Sequence, residues 1–178
     1  QIRDDLQAAS QFSEPDLLAI QLDDRALFLQ RWWDLYEKTL AASNDPALAP
    51  LRDLQARWDG RASAESVSYR LARGLRSIVL ERVSEHLLLP VREAMGERFM
   101  APKLSQLEAM LWPAIENEIP ELLPADYPQW QAFLQASLLE LQSQLQAVPG
   151  NLADRNWGEK NAAQICHPLA LALPAVLA

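Results

Sequence analysis

With 178 residues, 20.0 kDa and 49% hydrophobic side chains, the chain holds enough apolar surface for one domain with a core and is too apolar for a disordered segment. Its 24 acidic against 16 basic residues give a net charge of −8 and a pI near 4.8, which excludes an electrostatic footprint for nucleic acid and opposes binding to an anionic membrane surface. Five Gly against 12 Pro predict helices punctuated at their ends by proline, and hence an all-α fold, an irregular bundle of about five to seven helices.

Taken in chain order, "SEPDLLAIQLDD" opens with Ser13 as N-cap, Pro15 in the first turn and Asp16 three residues on, a capping-box arrangement. From Asp24, the residues Phe28, Trp32, Leu35, Tyr36 and Leu40 recur at steps of three and four, which predicts one helical face, and "SNDP" at 43–46 ends it. "PALAPLRDLQARWDG" reads as a short helix closed by Gly60 as its C-cap. Ser63 is placed as the cap of a longer helix with the stripe Val67, Leu71, Leu75, Ile78, Val79 and Val83, kinked or broken at Pro90 or Gly96. Another helix is predicted from Ser105 through Ile115, and Pro113, Pro120 and Pro124 divide the chain into short pieces before Pro128. The clearest helix is the last, where Trp130, Phe133, Leu134, Leu138, Leu141, Leu145 and Val148 lie opposite Gln131, Gln135, Gln142 and Gln146. No strand signal competes before residue 155, so the chain divides into a helical domain at 1–154 and a short extended segment at 155–178.

Side chains able to carry chemistry are scattered. His86 and His167 lie far apart, and Glu81, Glu85 and His86 lack the three-residue spacing by which Glu and His share one face in a di-iron helix. Cys166 and His167 are neighbours in an extended run, where successive side chains point to opposite faces, so they do not form a nucleophile and base. No Gly-rich phosphate loop, nucleophile elbow or zinc-protease pair occurs, and neither a catalytic residue, nor a metal, nor a cofactor is assigned. A single cysteine leaves the redox compartment unread. The longest uncharged apolar run, Leu169 to Ala178, is interrupted by Pro174 and is far shorter than the roughly 20 residues of a membrane span. Among the six Trp, Trp32 and Trp130 fall on core stripes, whereas Trp33 lies about 100° round its helix and is expected to cover a surface outside the core. With its first residue Gln1 and a charge-free apolar end, the chain is expected to be a processed or excised piece.

Three patches together carry a resemblance. "SEPDLLAIQLDDRA" is similar to a capped helix bearing an Ile/Leu-Gln-x-Asp run, "LRDLQARWDGRASAESVSYRL" to an L-x-x-W-D/N-G step followed by a Ser-capped helix, and "NWGEKNAAQICHPLALALP" to W-G-x-x-N/H with a downstream H-P-L. In this order and at this spacing they resemble the penicillin acylase family of N-terminal-nucleophile amidohydrolases, over most of the chain.

The resemblance implies a helical region of the large catalytic subunit, excised from an αββα sandwich, with 155–178 leading back toward a missing catalytic core. It implies a parent that hydrolyses linear amides, splitting an acyl group from an amine-bearing core such as a β-lactam nucleus or a homoserine lactone. The family's nucleophile is a Ser exposed by self-cleavage after Gly, with its α-amine as base; no Gly-Ser step occurs here, so the chain alone is expected to be inert. Trp58, Asp59, Gly60, Trp157, Gly158, His167 and Pro168 match the family motifs in structural roles, and Trp33 and Trp112 are candidates for walling an acyl pocket. The partners implied are the remainder of the parent chain and, through the apolar C-terminal segment, a second copy; the parent is expected to be periplasmic or secreted. The alternative is a free-standing helical interaction module that binds a partner through the tail and an amphipathic groove.

Overall fold

The computed structural model describes residues 1–163. Among them lie eight α-helices: α1 (Ile2–Gln7), α2 (Glu14–Gln21), α3 (Gln30–Ala41), α4 (Ala49–Asp53), α5 (Val67–Met95), α6 (Leu107–Glu116), α7 (Trp130–Gln146) and α8 (Trp157–Asn161). Short 3-10 turns join them, and the only β pairing among the described residues is an isolated antiparallel bridge between Arg25 and Arg61. The fold is therefore all-α, an irregular bundle.

Its core sits where α3, α5 and α7 meet, with α6 closing one side. Trp32 from α3, Leu71, Leu75, Val79 and Val83 from α5, Leu111 from α6 and Phe133 and Leu138 from α7 are wholly buried, which follows from their recurrence at three and four residues. Gly74 lets α5 and α7 close: a Cβ there would lie 2.5 Å from Leu141 Cδ1. The capping box at Ser13 forms, its hydroxyl accepting from the Asp16 amide at 3.4 Å and its own amide donating to Asp16 Oδ2 at 2.8 Å.

Several boundaries differ from the spacing. The helix predicted from Asp24 starts at Gln30, and Phe28, in the 3-10 turn before it, is exposed rather than on the core face. The helix predicted to reach Gly60 ends at Asp53, because Gln55 already takes a left-handed backbone with φ 46°. The cap of α5 is Ser66, whose Oγ accepts from the Tyr69 amide at 3.1 Å, and not Ser63. Pro90 does not break α5: beyond Val83 the helix carries no buried residue, so water can serve the carbonyl that proline leaves without a donor. The helix stops at Gly96, with φ +55°. Gln142, expected on a solvated face, is buried, its amide donating to the Ala47 carbonyl at 2.9 Å. The segment expected to be extended from 155 opens instead with the helical turn α8, capped by Asn156 Oδ1 accepting from the Glu159 amide at 2.9 Å. α1 has no counterpart in the sequence reading, and neither it nor α2 buries a residue.

Candidate functional site at the junction of the sequence motifs

The loop between α4 and α5 gathers all three sequence patches. Asp59 Oδ1 accepts from Ser68 Oγ at 3.1 Å and from the Arg61 amide at 3.2 Å, which folds the loop back on the first turn of α5. Gly60, at φ +69°, turns its carbonyl to the Ala26 amide at 2.7 Å, and the Ala62 amide donates to the Asp24 carbonyl at 2.8 Å. An Arg61–Asp24 ion pair at 2.5 Å closes this joint between the first and second patches. From the other end of the chain, the Trp157 amide donates to the Ser66 carbonyl at 2.9 Å and the Gly158 amide to the Ala64 carbonyl at 2.6 Å. A Cβ on Gly158 would sit 3.0 Å from the Ala64 oxygen, so this glycine serves a close backbone approach inside α8 rather than a turn into an extended run.

Aromatic stacking extends the junction into the core. Trp58 stacks on Trp33 with centroids 5.8 Å apart, and Trp33 on Tyr36 at 5.0 Å. Trp33 is 2% exposed, so it belongs to the core of this chain and not to an outward surface. A cavity of about 320 Å³ nevertheless opens beside it, lined by Trp33, Tyr36, Leu40, Leu51, Arg52 and Gln55 among others. Among the described residues the buried Tyr36 hydroxyl has no hydrogen-bond partner, and burial, assisted by the Glu37 charge, pushes it well above the usual phenol range. Trp157 meets Tyr69 edge-on at 5.0 Å, and the Arg73 guanidinium lies 4.9 Å over the Trp157 ring.

Trp112 belongs to a second aromatic cluster. Half-buried, it meets Trp32 edge-on at 4.8 Å under the Arg31 guanidinium, 4.6 Å away, and its own Nε1 has no partner among the described residues. Beside it Glu108 accepts from Trp32 Nε1 at 2.6 Å, from Arg76 Nε and Nη2 at 3.0 and 2.6 Å, and from Arg31 Nη2 at 3.3 Å. Burial pushes this carboxyl up, but the bonds from Arg76 and Trp32 and the charges of Arg76 and Arg31 outweigh it and hold Glu108 below the usual carboxylate range. Sequence reading missed Glu108 because its partners lie 32 and 76 residues away, outside any local pattern. The structure thus brings Trp33 together with Trp58, and places Trp112 in a different cluster.

Chemically, the hydroxyls at the junction are occupied structurally: Ser66 Oγ serves the Tyr69 amide and Ser68 Oγ the Asp59 carboxylate. Among the described residues no three His, Cys, Asp or Glu side chains converge as a metal site, and no helix is long and apolar enough to cross a membrane. Cys166, His167, Pro168 and the apolar tail lie outside the described residues.

Fold and junction define an all-α domain whose separated sequence motifs meet at one loop. The family model described as penicillin amidase matches residues 1–177, essentially the whole chain, and the chain belongs to that family. No curated protein and no solved structure matches it.

Proposed function

We propose that this chain is the helical scaffold of an N-terminal-nucleophile amidohydrolase, part of a larger acylase that hydrolyses linear amides and releases an acyl group from an amine-bearing core such as a β-lactam nucleus or a homoserine lactone. The observation that carries the reading is the match to the penicillin amidase family over residues 1–177. The junction adds support, since Trp58, Asp59, Gly60, Trp157 and Gly158 all serve packing and leave the nucleophile, its base and the oxyanion donors to the rest of the enzyme. In this reading residues 155–178 lead back toward the catalytic core, the parent is periplasmic or secreted, and nucleic acid is not a partner. Trp33, through the cavity it lines, walls the acyl pocket in this reading, and Trp112, in a separate cluster, does not share that cavity.

The test compares the purified 178-residue chain with the native subunit, first sized by immunoblot of source cells, on a panel of linear acyl amides. A native band much heavier than 20.0 kDa, with hydrolysis by that subunit and none by the isolated chain, is expected. Hydrolysis by the isolated chain, or a native band at 20.0 kDa, overturns the scaffold reading and returns the protein to the class of free-standing modules.

A further inference from the structure

α2 carries a complete capping box at Ser13 and Asp16 and a proline in its first turn, yet it buries no residue. Five of the six positions 17–22 are apolar, and Leu17, Leu18 and Leu22 are 43, 53 and 71% exposed. Successive side chains lie about 100° apart round a helix, so Leu17 and Leu18 open on different sides, and a helix apolar round so much of its surface is one that another surface covers. Ile2 and Leu6, one turn apart on α1, are exposed on the same arm of the chain. Beside α2 a recess of about 560 Å³ has an apolar lining of Ala8, Ala9, Phe12, Ala19, Ile20 and Leu22, every one of them exposed or half-buried.

The arm is also acidic. Asp4, Asp5, Glu14, Asp16, Asp23 and Asp24 stand against Arg3, Arg25 and Arg61, six carboxylates to three guanidinium groups and a net charge of −3. Arg25 takes up Asp5 and Asp23, Arg61 takes up Asp24, and Arg3 takes up Asp4. Glu14 and Asp16, on the first turn of α2 beside Leu17 and Leu18, have no cation within ion-pair distance among the described residues. A second copy fits poorly here, because an isologous contact sets the acidic arm against itself.

We propose that α2 and the recess beside it dock on a protein face that offers an apolar patch flanked by Lys or Arg, and that this face belongs to the remainder of the native acylase subunit. The chemistry of the face is set by the exposed leucines and by Glu14 and Asp16; its placement in the same subunit rests on the proposed function.

Carbene footprinting read by mass spectrometry, on the full 178-residue chain and on the native subunit, tests it. Leu17, Leu18 and Leu22 should label freely in the isolated chain and about fivefold less in the native subunit, as burial in a packed interface requires. In the native subunit, Glu14→Lys should raise labelling at all three leucines by reversing the charge that meets the basic flank, and Leu18→Asp should raise it at Leu17 and Leu22 by placing a carboxylate in the apolar patch. Circular dichroism of the same variants of the isolated chain establishes that the bundle stays folded. Equal labelling of chain and subunit, or labelling of the subunit unchanged by either substitution, overturns the proposal. Protection that grows with the concentration of the isolated chain also overturns it, and assigns the surface to a second copy. A subunit that hydrolyses linear amides while labelling like the isolated chain removes the docking surface alone, whereas a native band at 20.0 kDa removes the scaffold reading with it.

Discussion

Glu108 shows how much one side chain carries in this bundle. It receives hydrogen bonds from α3 and α5 while sitting on α6, so its removal strands the Trp32 indole nitrogen and leaves two guanidinium groups facing each other. Glu108→Gln is expected to cost about 2–3 kcal/mol in urea unfolding, the range for charge-assisted bonds lost in a half-buried site. Because its carboxyl titrates lower in the folded than in the unfolded chain, the stabilisation is complete above the ordinary value of 4.5 and is lost as pH falls through that value toward the folded one. Wild type and variant should therefore converge in stability in acid, and parallel curves across that range would contradict the assignment. Gly74 is the converse case. Gly74→Ala gains about 1 kcal/mol of helix propensity but drives its methyl into the buried Leu141 side chain, so a net loss of about 1–2 kcal/mol is expected in thermal unfolding. At this scale the sequence revealed which residues are apolar but not how many sides of a helix are covered. A single stripe puts Trp33 outside the core, whereas Trp58 from the loop between α4 and α5 covers a second arc of α3.

The long stripes were legible at the scale of elements, and the ends were not. Period alone located α5 and α7, since Leu71, Leu75, Ile78, Val79 and Val83 face one side of a helix under any register of its cap. The cap itself was ambiguous, with serines at both 63 and 66 ahead of the same stripe. The choice is made by tertiary bonds: the carbonyl of Ala64 is taken by the Gly158 amide and that of Ser66 by the Trp157 amide, which holds this stretch outside the helix. Ser66→Ala is therefore expected to lose about 1–2 kcal/mol and Ser63→Ala less than about 0.5 kcal/mol in paired denaturant titrations. Equal losses would show that capping is shared. The same reasoning explains why Gly60 misled as a helix stop. Its positive φ serves the bridge to Ala26 and Asp24, a long-range contact that no local signal announces.

For the whole molecule, the consequence is that distant parts of the chain are fastened at one place. α1 and α2 bury nothing, and this N-terminal arm is held by the Arg25 pairs with Asp5 and Asp23 and by the bridge at Arg61. The C-terminal turn is fastened to the same loop by two backbone bonds, and its Glu159 binds both Arg70 and the buried Arg155, whose Nη2 also donates to the carbonyls of Val148 and Pro149. The contact at Gly158 leaves little room, because a side chain there meets the Ala64 backbone, 3.0 Å from its Cβ, rather than a flexible group. Gly158→Val should accordingly undock residues 155–161 without melting the bundle, whose core lies between α3, α5 and α7. Hydrogen exchange separates the two effects. The Trp157 and Gly158 amides should lose their protection in the variant, while amides from Leu75 to Val83 keep theirs. Retained protection at 157 and 158 would show that the junction tolerates the added volume, and uniform loss across α5 would show that the motifs hold the entire fold rather than the path of its chain.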